Sequence, residues 1–205
     1  MVFGHRPIGW APGFELRHPL YIVTLREPIA FALSLFDFIQ RNSFKAHDRQ
    51  RTSFANKSFS ENVVNENKEV LSYVRDKQSE LLEGLDRCAN TDKETCVLSN
   101  LDKAHVVAVA ERLDDVLIQL RWLTGWLGLG VDSFPRTNSA DIKSPITPRA
   151  MKILEAQAEN GVDALLYQRA LERHDNLTEQ ARRCLSFLDI ANKSRVPVSA
   201  TSRRY

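Results

Sequence analysis

Two continuous apolar runs and several periodic stretches divide this chain. The first run, Tyr21-Ile22-Val23-Thr24-Leu25, is unbroken and rich in β-branched residues, the pattern of a fully buried strand. Arg26 and Glu27 interrupt it, and Pro28 follows at the place proline favours at a helix start. From Ile29 onward, Phe31, Leu35, Phe38 and Ile39 recur at helical spacing, so Tyr21–Gln40 reads as strand, tight polar turn and helix. The second run, His105-Val106-Val107-Ala108-Val109-Ala110, predicts another buried strand. It leads through Glu111-Arg112-Leu113-Asp114-Asp115 into a helix reaching about Leu127, with Val116, Leu117, Leu120, Leu123 and Trp126 as its apolar stripe. Between the two strands, Val63, Val64, Val70, Leu71, Val74, Leu81, Leu82 and Leu85 mark one face of a single long amphipathic helix over 61–86. Thr147 as cap and Pro148 at the first position open a further helix, and an amphipathic helix pair runs to about Asn192.

The remaining stretches read as loops. Residues 1–20 are rich in glycine and proline, and 42–60 are polar and aperiodic. Lys45, His47, Arg49 and Arg51 make that second stretch basic; a solvated insertion is the better reading than a glycan contact. The long loop 128–147 combines glycine, proline and basic residues, and a loop of that length inside a domain is usually functional or disordered. The tail over 193–205 is polar, basic and expected to be disordered, leaving 1–192 as one domain.

The 205 residues suit one domain with a real core, and a net charge of +2 neither requires nor excludes a polyanionic partner. The basic residues are scattered without a recognition motif, so no nucleic-acid partner is expected. No run of about eighteen apolar residues suggests a membrane span, and Met1–Phe14 does not read as a signal peptide. Gly128 and Gly130 are not followed by Gly-Lys-Ser/Thr, so they make no Walker loop. Cys88 and Cys96 bracket a small polar loop; they suit either a local disulfide in an oxidising compartment or two free thiols in the cytosol. No cysteine–histidine cluster has zinc-ligand spacing, and no metal is expected. Asn56-Lys57-Ser58, Asn176-Leu177-Thr178 and Asn192-Lys193-Ser194 are glycosylation sequons, informative only if the chain is lumenal.

The chemistry gathers at the first strand–helix junction. In α/β folds ligands bind at the carboxyl ends of strands, and Arg26 is placed there to meet an anion. Leu25-Arg26-Glu27-Pro28, with Ser34 eight residues after the arginine, resembles the 3′-phosphate-binding motif of Golgi carbohydrate sulfotransferases. The closest likeness is to the heparan sulfate 2-O-sulfotransferase and uronyl 2-O-sulfotransferase group. Arg26, Pro28 and Ser34 match; Glu27 replaces an aspartate, Phe31 a second arginine and Phe36 a tyrosine. Gly4-His5 matches a histidine-containing stretch upstream of the family motif, with Phe3 in place of its first histidine. The resemblance therefore makes His5 the base that deprotonates the acceptor hydroxyl, a task suited to an imidazole.

The resemblance implies more along the chain. Glu111 falls on the family's glutamate after the next strand, where a structural role is favoured over cofactor contact. Arg136 becomes the basic residue closing on the nucleotide phosphates, with Thr137, Ser139 and Lys143 as lesser candidates. Cys88–Cys96 becomes a disulfide, leaving Cys184 free in a helix. Asp163-Ala164-Leu165-Leu166-Tyr167 with Ala170 matches a packing motif, with Leu166 and Tyr167 on the core side.

By resemblance, the fold is an α/β, P-loop-type sulfotransferase fold, a small mainly parallel sheet with helices on both faces. The implied co-substrate is 3′-phosphoadenosine 5′-phosphosulfate, the acceptor a glycan or glycosaminoglycan hydroxyl, and the compartment the Golgi, through an N-terminal anchor. The family's first strand, its lysine-bearing 5′-phosphosulfate loop and the helix after it have no counterpart here, so a truncated or degenerate form is expected. The alternative is a non-catalytic binding or scaffold domain.

Overall fold

The computed structural model describes residues 20–42, 57–83, 88, 91–125 and 145–194. Within them, the two continuous apolar runs pair with each other. Strand β1 (Ile22–Leu25) lies parallel to β2 (Val106–Val109), with Ile22 opposite Val106 and Leu25 opposite Val109. Parallel strands need a long crossover. Here it contains helices α1 (Pro28–Asn42), α2 (Phe59–Val64), α3 (Lys68–Arg75), α4 (Lys77–Leu82) and α5 (Lys93–Asp102). After β2 a short 3₁₀ turn, Ala110–Arg112, leads into α6 (Asp114–Thr124), and α7 (Pro148–Glu159) and α8 (Val162–Ser194) complete the order. The class is α/β and mostly helical, with a small parallel sheet among the described residues.

The sheet alternation decides what packs where. Val23, Leu25, Val107 and Val109 share one face and meet Val97 and Leu101 of α5 and Leu166 and Ala170 of α8. On the other face, Val106 and Ala108 of β2 meet Val116 and Leu120 of α6. The same face of β1 is open, with Ile22 45% exposed, so β1 is buried on one face and not on both as its unbroken apolar run predicts; only β2 is buried on both. Helix α1 turns away from the sheet and builds a second cluster with α2, α3 and α7, centred on the edge-to-face rings of Phe36 and Phe59, 5.3 Å apart.

The single helix expected over 61–86 is three helices. Val64 ends α2 because Glu66 takes a left-handed φ of 54°, and Asn67 then caps α3 by accepting from the Glu69 and Val70 amides. Asp76, at φ −142°, breaks the chain again before α4. An unbroken apolar stripe does not reveal such breaks, because each short helix keeps the same periodic face toward the core. Helix α5, capped by the Asp92 carboxylate on the Thr95 amide, begins inside the stretch expected to be a polar loop between Cys88 and Cys96, while at the start of α7 the local signals hold. Thr147 accepts from the Ala150 amide with Pro148 first in α7, and Gly125, at φ 64°, follows the last residue of α6. That places the end of α6 at Thr124, three residues before the expected Leu127.

Cys88 and Cys96 are disulfide-bonded across eight positions, with Cα atoms 5.8 Å apart, and Cys184 is a free, exposed thiol on α8. The bridge closes a short loop, so a Cys88→Ser, Cys96→Ser double variant is expected to lose about 2–3 kcal/mol in chemical denaturation. A loss under about half a kcal/mol would mean that the unfolded loop is already ordered without the bridge. His5, the basic residues at 45–51, Asn56, the 128–144 part of the long loop including Arg136, Thr137, Ser139 and Lys143, and the tail after Ser194 lie outside the described residues. Among the described residues no helix is long and apolar enough to cross a membrane.

Candidate functional site

The strand ends carry the chemistry that the sequence points to. Arg26 comes directly after the last residue of β1, and two residues later α1 begins. The intervening Glu27 caps that helix with its own carboxylate: Oε1 accepts from the Ile29 amide at 3.0 Å and Oε2 from the Ala30 amide at 2.6 Å. The first free amides of α1 are thereby taken by an internal anion, and the positive helix end is already neutralised.

Glu111, just past β2, reaches the same place. Its Oε1 accepts from the Glu27 amide at 3.3 Å and lies 3.9 Å from Arg26 Nε, while its Oε2 accepts from the Tyr167 hydroxyl at 3.1 Å. Burial, and after it the Glu111 charge, pushes the Tyr167 phenol up to about 12, so it stays a neutral donor. Glu111 thus ties β1, the 3₁₀ turn and α8 together, and its two stronger contacts are structural. Its contact with Arg26 is looser, and the Arg26 side chain keeps 31% exposure.

The backbone of Arg26 lies beyond the strand ladder, yet both its polar groups are satisfied by one side chain. The Arg26 amide donates to Gln78 Oε1, and Gln78 Nε2 donates to the Arg26 carbonyl, each at 2.8 Å. Gln78, in the first turn of α4, is itself 3% exposed. The Asp163 carboxylate holds that turn: Oδ2 accepts from the Gln78 amide and Oδ1 from the Ser79 amide, both at 2.7 Å. In return Asp76, before α4, accepts from the Val162 amide at the start of α8 at 3.2 Å. Two helix N-termini therefore cap each other. Gly161 permits the approach, since a Cβ there would lie 2.5 Å from the Arg75 carbonyl oxygen.

A second polar group seals the far edge of the sheet. Gln119 of α6 accepts from the Val107 amide at 3.3 Å and donates to the Val107 carbonyl at 3.1 Å, as a neighbouring strand would. His174 is fully buried and bridges the Val107 carbonyl at 2.8 Å and Asp115 at 3.3 Å. Burial works against the Asp115 charge, but hydrogen bonds from Arg112 and His174 and the charges of Arg182 and Arg112 hold its carboxyl below the ordinary range. Among the described residues no group of three or more histidines, cysteines and acids is arranged to hold a metal.

Of the sequence candidates, Arg26 and Glu111 come together, joined by Glu27, Tyr167 and Gln78. Ser34 lies about two turns into α1, half-buried. Phe36 is fully buried in the helical cluster, not turned toward the strand ends. Leu166 is a core residue and the part-buried Tyr167 packs against the same cluster, both as expected, and the Tyr167 hydroxyl reaches the site. Gln78 escaped sequence reasoning, although a signal existed. It falls four residues after Val74 and four before Leu82, a polar side chain on the buried stripe. No protein-family model matches the chain, nor does any curated protein or solved structure.

Proposed function

We propose that this chain is a sulfotransferase-like protein that binds 3′-phosphoadenosine 5′-phosphosulfate, with Arg26 holding the 3′-phosphate, and transfers the sulfuryl group to a glycan hydroxyl. The observation that carries the reading is Arg26 itself: a part-exposed guanidinium on a rigid peptide at the carboxyl end of a parallel strand, beside a helix start. The residues around it suit a phosphate. A guanidinium offers two parallel donors to phosphate oxygens, and Glu111 keeps its bonds to Tyr167 and Glu27 if Arg26 turns to a ligand. Because Glu27 already caps α1, the phosphate relies on the arginine and the Ser34 hydroxyl more than on the helix amides.

In the proposed reaction the sugar oxygen attacks sulfur while His5 takes its proton. The bond from sulfur to the bridging phosphate oxygen breaks, and adenosine 3′,5′-bisphosphate leaves. Arg136 completes the phosphate contacts, and the setting is the Golgi lumen. The reaction needs no metal, and rests on in-line positioning and fixed charges.

Calorimetric titration with adenosine 3′,5′-bisphosphate tests this. Wild type is expected to bind in the micromolar range, and Arg26→Ala to bind about tenfold to a hundredfold more weakly, as befits a charged hydrogen-bond donor. A folded wild-type chain that binds nothing would end the reading. The second reading, a binding domain without transfer activity, is favoured by Phe36, whose buried ring brings no polar group to the site. Binding without transfer of labelled sulfate to glycosaminoglycan acceptors would select it.

A further inference from the structure

We propose that Gln78, anchored by Asp163, is a positioning residue that fixes the Arg26 peptide and so aims the Arg26 guanidinium across the strand ends. Its role in ligand binding rests on the reading of Arg26 given above. The strand ladder stops at Leu25 opposite Val109, so among the described residues Arg26 has no strand neighbour to set the two peptide planes that flank its Cα. Together those planes fix the direction of the Cα–Cβ bond, and with it the arc the guanidinium can sweep. The Gln78 amide supplies one acceptor to the N–H before the Arg26 Cα and one donor to the carbonyl after it, at 2.8 Å each, which holds both flanking peptides.

The glutamine is not free to drift. Its own amide and that of Ser79 are pinned by the two oxygens of Asp163, a fully buried side chain at the start of α8. The reciprocal bond from Val162 to Asp76 closes the ring between the two helix ends. A chain of hydrogen bonds thus runs from the α8 start through α4 to the peptide of the arginine at the strand end. Elsewhere in the sheet the same two-point amide contact, from Gln119 to Val107, seals an edge where no candidate ligand group stands. At Arg26 it meets the residue proposed to touch the ligand.

The test compares wild type, Gln78→Leu, which loses both contacts, and Gln78→Glu, which keeps an acceptor for the Arg26 amide. Two quantities are read: hydrogen exchange of the Arg26 amide by NMR, against that of Ala108 within the sheet, and affinity for adenosine 3′,5′-bisphosphate. In Gln78→Leu the Arg26 amide is expected to exchange about tenfold faster while Ala108 does not change, and affinity to fall about tenfold. Gln78→Glu is expected to recover part of both. Unchanged Arg26 exchange in a folded variant overturns the proposal. So does equal acceleration at Ala108, which marks a merely structural role, or faster Arg26 exchange with unaltered affinity. If wild type binds no ligand, the function of Arg26 is refuted separately, and the exchange contrast alone decides whether Gln78 fixes the peptide. Should Gln78→Leu fail to fold, Gln78→Glu carries the same comparison.

Discussion

A Phe36→Ala variant is expected to lose about 3–5 kcal/mol of unfolding free energy, the cost of emptying a fully enclosed aromatic site. Phe36 has no exposed surface, packs edge-to-face on Phe59 at 5.3 Å, and sits among side chains from α1, α2, α3 and α7. Urea denaturation monitored by far-ultraviolet circular dichroism measures the change. A loss below about 1 kcal/mol would show that the helical cluster collapses around the gap. The same position separates packing from function. Phe36→Tyr restores the residue type of the resembling enzymes, yet puts a hydroxyl into an apolar cluster. It is expected to cost about 1–3 kcal/mol and to bring no gain in adenosine bisphosphate affinity. A tighter complex would show that position 36 reaches the ligand after all.

The second large effect is at Asp163. Replacing it with alanine strands two amides, those of Gln78 and Ser79, beneath α8, and each orphaned buried donor costs about 1–3 kcal/mol. Relief of a buried charge offsets part of this, so the net loss at neutral pH is expected to be about 2–4 kcal/mol. The effect also depends on pH in a definite direction. Burial pushes the Asp163 carboxyl up from 3.8 to about 6, against the pull of the Gln78 and Ser79 amides. Between those values the folded chain holds a proton that the unfolded chain releases. The contribution of this group is therefore fully present below about pH 4 and is lost as pH rises through about 6. Wild type gains from this slope on acidification and Asp163→Ala does not, so the stability gap between them should be wider at about pH 4.5 than at about pH 7.5. Other carboxylates titrate in both proteins and cancel in the difference. A gap that narrows toward acid would mean that the two amide bonds keep the carboxylate ionised in the fold.

Local sequence signals were enough to mark both strands, the polar turn between Leu25 and Pro28, the cap at Thr147, and Arg26 as candidate chemistry. Each depends on a run, a period or a residue with a backbone preference, and these act over a few neighbours. The pairing Cys88–Cys96, drawn from resemblance, is the bond present in the fold. Local signals also joined three helices into one, because α2, α3 and α4 each keep their apolar residues in phase while Glu66 and Asp76 bend the chain between them.

The make-up of the candidate site depends on long-range contacts. Glu111 meets Glu27 across 84 positions, Gln78 meets Arg26 across 52, and Asp163 meets Gln78 across 85. No periodicity within one segment encodes such encounters. Arg26 was legible on its own, as a charged residue closing an apolar run before a proline. Its supporting frame was not, because a buried glutamine and a buried aspartate look like breaks in an apolar stripe until the fold supplies their partners. Residue spacing along the chain was sufficient to mark both strands and the starts of α1 and α7, since burial of apolar area follows that spacing, but it missed α5 and took β1, which buries one face, for a strand buried on both. Which polar groups meet at the strand ends was settled by tertiary packing alone, since a hydrogen bond needs two atoms at one place and the chain brings them there only by folding.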